Sequence, residues 1–207
     1  MAACLFEPWR GSSYDMGWRG LRILLLGESH YREVDKDYSP VGFTSGVVRR
    51  SAIDGPTERF FTTIYRAVTG GAIPSVAERS TFWESVAFYN YVQAWVGVGP
   101  RYRPTSADWG TGPAPFQSVL ESLKPDCVLV LGQELWRNIP HAANETTVPL
   151  VPSGTAVIRL YQTGTRQIPA AMIHHPSSAF LQARWRPHVE ALMDFARVRE
   201  NGSGMFS

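Results

Sequence analysis

Two polar segments, far apart in the chain, hold most of the residue types that do acid–base and hydrogen-bonding chemistry. Gly27-Glu28-Ser29-His30-Tyr31 follows the apolar run 21–26, and His174-His175-Pro176-Ser177-Ser178 follows the run 168–173. Gly27 lets the backbone leave a strand sharply and come close to a ligand. Glu28 behind it suits a base or a holder of water, although a lone glutamate also caps helices or pairs with arginine. His30 and Tyr31 add an imidazole and a stacking ring. The segment lacks the glycine run and the Gly-Lys-Ser/Thr ending of a phosphate loop, and it is not a Gly-x-Ser-x-Gly elbow.

Asn90 interrupts the apolar stretch 86–92. A buried amide needs partners for donor and acceptor alike. It is either satisfied within the core or a turn, or it faces an edge with one donor beside one acceptor, such as a pyrimidine base. His174 and His175 have no Asp, Glu or Cys at ligand spacing, so no metal is expected. A histidine donating a hydrogen bond to a developing anion is the better functional reading, with a structural role as the alternative. Ser177 and Ser178 suit phosphate contacts through side chain and backbone. Arg184 and Arg186 lie just beyond, where a solvated helix start explains them equally well.

These residues need a scaffold that brings strand ends together. Continuous apolar runs at 21–26, 127–131 and 168–173 read as buried strands, and the aromatic, β-branched run 86–92 as another. Residues 148–151 and 156–161 read as strands around a turn at Ser153-Gly154. Helices are expected over 56–69, closed by Gly70-Gly71, over 116–123, over 134–138 and over 182–199. Ser80 is the expected cap of a short helix running to Val86. Residues 33–54 and 97–115 read as loops, 1–20 as an irregular arm and 201–207 as a frayed tail. Strands alternate with helices, which predicts one three-layer α/β/α domain with a mainly parallel central sheet. In such sheets ligands bind beyond the carboxyl ends of the strands.

Composition narrows the class without naming a partner. The 207 residues suffice for one core, and the net charge of +2 neither demands nor excludes nucleic acid. The basic residues are nearly all arginine, with Lys36 and Lys124 the only lysines. Arginine suits bidentate phosphate contacts, and genomic base composition explains the bias as well. Cys4 and Cys127 suggest neither a disulfide framework nor a metal site, and no secretory signal or membrane span is expected. A reducing cytoplasm fits best.

Taken in chain order, the motifs resemble the uracil-DNA glycosylase superfamily over roughly residues 21–195. The resemblance rests on Gly27-Glu28-Ser29-His30-Tyr31, Phe43 in Pro40-Val41-Gly42-Phe43, Asn90, Lys124-Pro125-Asp126 leading to Leu131-Gly132, and His175-Pro176-Ser177-Ser178. The stretch from Asn90 to Arg103-Pro104-Thr105 is similar to the segment after the asparagine in the iron–sulfur members. The resemblance implies a uracil-DNA-glycosylase-like fold and a DNA glycosylase, a base-excision repair hydrolase that takes a damaged base out of single- or double-stranded DNA without a cofactor. It assigns Glu28 and His175 to catalysis. It assigns Gly27, Ser29, His30, Tyr31, Phe43 and Asn90 to the base pocket, and Ser177, Ser178, Phe180, Leu181 and Arg184 to DNA. Ser29 stands where one branch has aspartate. His30-Tyr31 replaces Pro-Gly of the iron–sulfur branch, whose cluster cysteines are absent. Tyr31 matches the tyrosine that excludes a 5-methyl group. Two rival expectations follow: a catalytically impaired nucleic-acid or nucleotide binder on the same fold, and an unrelated small-molecule hydrolase with a histidine base.

Overall fold

The computed structural model describes residues 4–32, 38–56, 58–99 and 102–203. In chain order the elements are β1 (Trp9–Arg10), β2 (Ile23–Gly27), β3 (His30–Arg32), α1 (Phe43–Val48), a π-helical stretch (Arg49–Asp54), α2 (Arg59–Thr69) and α3 (Val76–Trp83). There follow β4 (Ala87–Asn90), β5 (Trp95–Val98), α4 (Ser106–Gly110), α5 (Pro113–Leu123), β6 (Cys127–Leu131) and α6 (Gln133–Asn138). The chain ends with β7 (Asn144–Pro149), β8 (Thr155–Thr163), β9 (Arg166–Ile173) and α7 (Gln182–Ser203).

Seven strands form one sheet in the order β1-β4-β2-β6-β9-β8-β7, and β3 and β5 form a small parallel ribbon. The four central strands β4, β2, β6 and β9 are parallel. Both flanks are antiparallel, so the sheet is mixed rather than mainly parallel. The reason is connection length: only Gly164 and Thr165 join β8 to β9, and a parallel pairing needs a crossover of a dozen residues or more. The arm expected to be irregular contributes the edge strand β1, paired with β4.

The central strands are buried on both faces and feed two apolar layers. Ile23, Leu25, Phe88, Leu129 and Ile173 pack under α2, α3 and α7. Leu24, Leu26, Val128 and Val130 pack under α5 and α6 with Phe116, Leu120 and Leu135. That gives three layers, helix on sheet on helix.

Several local expectations need correction. The part of 33–54 within the described residues is not all loop: its second half is α1 and the π-helical stretch, and 33–37 lie outside the described residues. Ser80 sits inside α3; the cap is Ser75, whose hydroxyl accepts from the Glu78 amide while Glu78 reaches back to the Ser75 backbone. Residues 97–115 hold the end of β5, α4 with a similar Thr105–Asp108 box, and the start of α5. The strand expected at 148–151 is β7, which starts at Asn144 and stops at Pro149. α7 continues to Ser203, beyond the apolar pattern. Among the described residues no helix is long and apolar enough to cross a membrane.

Below the site, Asp126 ties the start of β6 to both neighbouring strands. Its carboxylate accepts from the Arg22 backbone at 2.8 Å, from the Arg22 guanidinium at 2.5 and 3.1 Å, and from Arg166 at 3.0 Å.

Candidate functional site

The four parallel strands end at Asn90, Gly27, Leu131 and Ile173, and Asn90 together with the segments after the other three strands lines one cleft of about 1030 Å³. Glu28, Ser29, His30, Tyr31, Phe43, Asn90, His175, Ser177 and Ser178 all line it. Gly27 lies at its edge beneath Asn90, outside the lining. Phe180, Leu181 and Arg184 also fall outside it: Phe180 packs half-buried on the core, Leu181 is exposed at 64 %, and Arg184 lies against the Trp185 ring.

Asn90 is anchored on several sides. Gly27 and Asn90 are register partners on β2 and β4. With no Cβ on Gly27, the Asn90 amide leans over the glycine; a Cβ there would sit 2.1 Å from Asn90 Oδ1. The amide nitrogen donates to the Ser29 carbonyl at 3.0 Å and contacts His30 Nδ1 at 3.1 Å. A carbonyl oxygen only accepts, so the atom facing Ser29 is the NH2 group. His30 Nδ1 must then accept, and the ring's proton sits on Nε2, donating to the buried Thr44 hydroxyl at 3.0 Å. Burial drives the His30 pKa down to about 4, consistent with a neutral ring. Three aromatic rings fix its plane: Phe6 and Phe43 lie edge-on at 4.9 Å each, and Trp95 at 6.5 Å. Phe6 belongs to the N-terminal arm, and its amide donates to Gln93 at 2.9 Å. The arm therefore buttresses the pocket.

His175 is held differently. The Ser177 amide donates to its Nδ1 at 3.2 Å, which leaves the proton of a neutral ring on Nε2. Phe60 lies beside it at 5.5 Å, and Gly132 packs against its other side. Gly132 has φ 132, a conformation that favours glycine, and it turns the chain from β6 into α6 beside the imidazole. Burial, then Arg103 and His174, lower the His175 pKa. The neighbouring His174 serves the loop. It stacks on Trp185 at 5.8 Å and bonds Ser178 Oγ at 2.8 Å, while that hydroxyl donates to the His175 carbonyl. Both imidazoles thus use Nδ1 within the loop. Among the described residues no three His, Cys, Asp or Glu side chains gather as a metal-binding set.

Glu28 lines the cleft and is buried, with 8 % exposure. Burial raises its pKa, Glu134 raises it further, and Arg103 opposes both. Arg103 Nη1 lies 3.7 Å from Glu28 and 3.6 Å from Glu134, so one guanidinium spans two carboxylates. The Ser29 hydroxyl, by contrast, is sealed in without a partner among the described residues. Charges on the lining nearly balance: Arg50, Arg103 and Arg137 face Glu28, Glu58 and Glu134. The cleft joins aromatic and aliphatic walls to these paired charges, and it is not a cationic groove.

Sequence reasoning missed Arg103, Glu134 and Phe60. Glu134 was within reach, two residues past the glycine that ends a buried strand. Arg103 carried a signal as well, in the Arg103-Pro104-Thr105 segment. Phe60 carried none, because its position on α2 reads as ordinary core. No protein-family model matches this chain, and no curated protein matches it at a significant level.

Proposed function

We propose that the cleft receives a nucleobase turned out of a DNA strand, and that the protein is a divergent DNA glycosylase of the uracil-DNA glycosylase type. The reading rests on one observation: Glu28, Phe43, Asn90 and His175, which the resemblance places in one site, line one cleft although they lie on separate segments of the chain. In this reading the flipped base stacks near Phe43, and Asn90 reads its polar edge. His175 Nε2–H donates to the negative charge that grows on the base as its bond to the sugar breaks. A neutral imidazole suits that task, since its donor is already aimed by the Ser177 amide. Glu28 holds the water that adds to the sugar carbon; the water's proton leaves with the departing base. Ser177 and Ser178 face the strand backbone, and the exposed Leu181 fills the vacated stack.

The test is release of base from uracil-containing single and double strands, read as abasic sites. Asn90→Ala and His175→Ala should each lower the rate by roughly 10²–10³, the usual cost of removing one such donor. Full activity in both variants refutes the site. A second reading, a nucleotide or nucleic-acid binder without catalysis, is favoured by Ser29, whose sealed hydroxyl offers no base where one branch of the family has a carboxylate. It predicts strongly salt-dependent binding and no base release.

A further inference from the structure

The amide that lines the cleft is committed before a ligand arrives. Asn90 has two amide N–H bonds and two acceptors close by, the Ser29 carbonyl at 3.0 Å and His30 Nδ1 at 3.1 Å. Only Oδ1 is left for a ligand. It has no hydrogen bond among the described residues and lies over Gly27, toward the Phe88 ring that lines the cleft. His30 cannot turn its other nitrogen to Asn90 without abandoning Thr44, and the rings of Phe6, Phe43 and Trp95 hold its plane.

We infer that His30 is a specificity-determining residue: by engaging the second N–H of Asn90 it makes that side chain a pure acceptor, so the base is read through an N–H and not through the adjoining carbonyl. This rests on the nucleobase reading above. The ligand class is therefore a base that points an imino or amino hydrogen at Asn90. For uracil, Oδ1 takes the N3–H, and O4 gets nothing from the amide. To donate to O4, Asn90 would have to strip a buried acceptor of its partner, which costs about tenfold or more in affinity.

The experiment is a titration of the full ¹⁵N-labelled chain with three free bases, uracil, 3-methyluracil and 4-thiouracil, followed by NMR. Uracil should shift the Asn90 side-chain resonances. 3-Methyluracil, which lacks the N3–H, should bind at least about tenfold more weakly. 4-Thiouracil, with a poorer acceptor at position 4, should bind within about twofold of uracil. In His30→Phe one amide N–H is released, and the sulfur substitution should then weaken binding by about threefold or more. Should that variant not fold, long-range ¹⁵N correlations of the unmodified His30 ring report the same lock, with the proton on Nε2 and none on Nδ1. A sulfur penalty in the unmodified protein as large as the methyl penalty overturns the inference and leaves the nucleobase reading standing. So does a proton on His30 Nδ1. If none of the three bases binds, the nucleobase reading fails and takes the inference with it.

Discussion

Gly27→Ala is the most direct probe of how the site is built, because the glycine's backbone imposes no strain and the effect is purely one of space. The new methyl carbon would stand 2.1 Å from Asn90 Oδ1 and 3.0 Å from the tip of Phe88. The ring tip can yield by a few tenths of an ångström. The amide cannot, because both its N–H bonds are anchored. Moving Oδ1 out to ordinary contact means a displacement of about 1 Å, enough to break the longer bond to His30 and to bend the other. A lost buried hydrogen bond with an orphaned acceptor costs about 1–3 kcal/mol, and the crowding adds about 1 kcal/mol. The expected loss is about 2–4 kcal/mol. With a urea slope of about 2 kcal/mol/M, the midpoint should fall by about 1–2 M. Asn90→Ala should cost a similar amount, since it strands His30 Nδ1 and the Ser29 carbonyl. The decisive measurement is the double variant. With alanine at 90 the added methyl meets only the Phe88 tip, so the pair should cost no more than about 1 kcal/mol beyond Asn90→Ala alone. Additive losses would refute the packing of the Asn90 amide onto Gly27, as would a Gly27→Ala protein within 0.5 kcal/mol of the parent.

Three further outcomes follow from the same geometry. His30 is buried with a pKa near 4 against an ordinary 6.5, so the unfolded chain binds the extra proton first; stability should be full above pH 6.5 and fall by about 3 kcal/mol as the pH drops toward 4, and His30→Phe should flatten that slope in urea titrations run across the window. Asp126→Asn removes the charge that anchors Arg22 and Arg166; because those partners are 27 % and 41 % exposed, the cost is discounted to about 2–3 kcal/mol, a fall in Tm of about 5–10 °C by calorimetry. Arg103→Gln removes a charge that holds the Glu28 pKa down, so if an ionised Glu28 supports base release, the acid limb of the pH–rate profile moves to higher pH, and Glu134→Gln moves it lower; unmoved limbs in both variants separate Glu28 from the chemistry.

The fold was legible wherever burial is continuous and weakest where geometry turns on a few residues. β6 runs over Cys127–Leu131 as its apolar run predicts, and β2 and β9 differ from expectation only at their ends. A strand buried on both faces has no alternation to misread, and a glycine or a polar residue stops it. The antiparallel flank was readable too. Gly164-Thr165 is a two-residue hairpin turn, with Thr163 and Arg166 paired across it and Gly164 at φ 55. The cap of α3 was likewise in plain view as Ser75-x-x-Glu78, the reciprocal pattern of serine and glutamate that precedes a helix. The π-helical stretch Arg49–Asp54 is another matter. Its residues carry no period that separates it from a polar loop, and it is Ser51, Ala52 and Ile53, pressed against the core, that hold it in place.

For the site, residue types were legible and their states were not. The topology of a parallel centre gathers strand ends at one edge, so Glu28, Asn90 and His175 could be expected to meet from order alone. What an amide offers a ligand depends on what it has already given its neighbours, and those neighbours come from other segments. Ser29 and His30 lie sixty-one and sixty residues from Asn90, and the rings that fix His30 come from the arm, α1 and β5. A donor–acceptor pair on Asn90, the natural expectation for a pyrimidine reader, becomes an acceptor because a histidine two residues past the glutamate turns inward. The same logic explains why two adjacent histidines part ways. His174 is drawn back into its loop by Ser178 and Trp185, while the Ser177 amide occupies His175 Nδ1 and leaves Nε2–H as that ring's one donor. Sequence order assembles the groups; only the hydrogen bonds among them decide which proton each one presents.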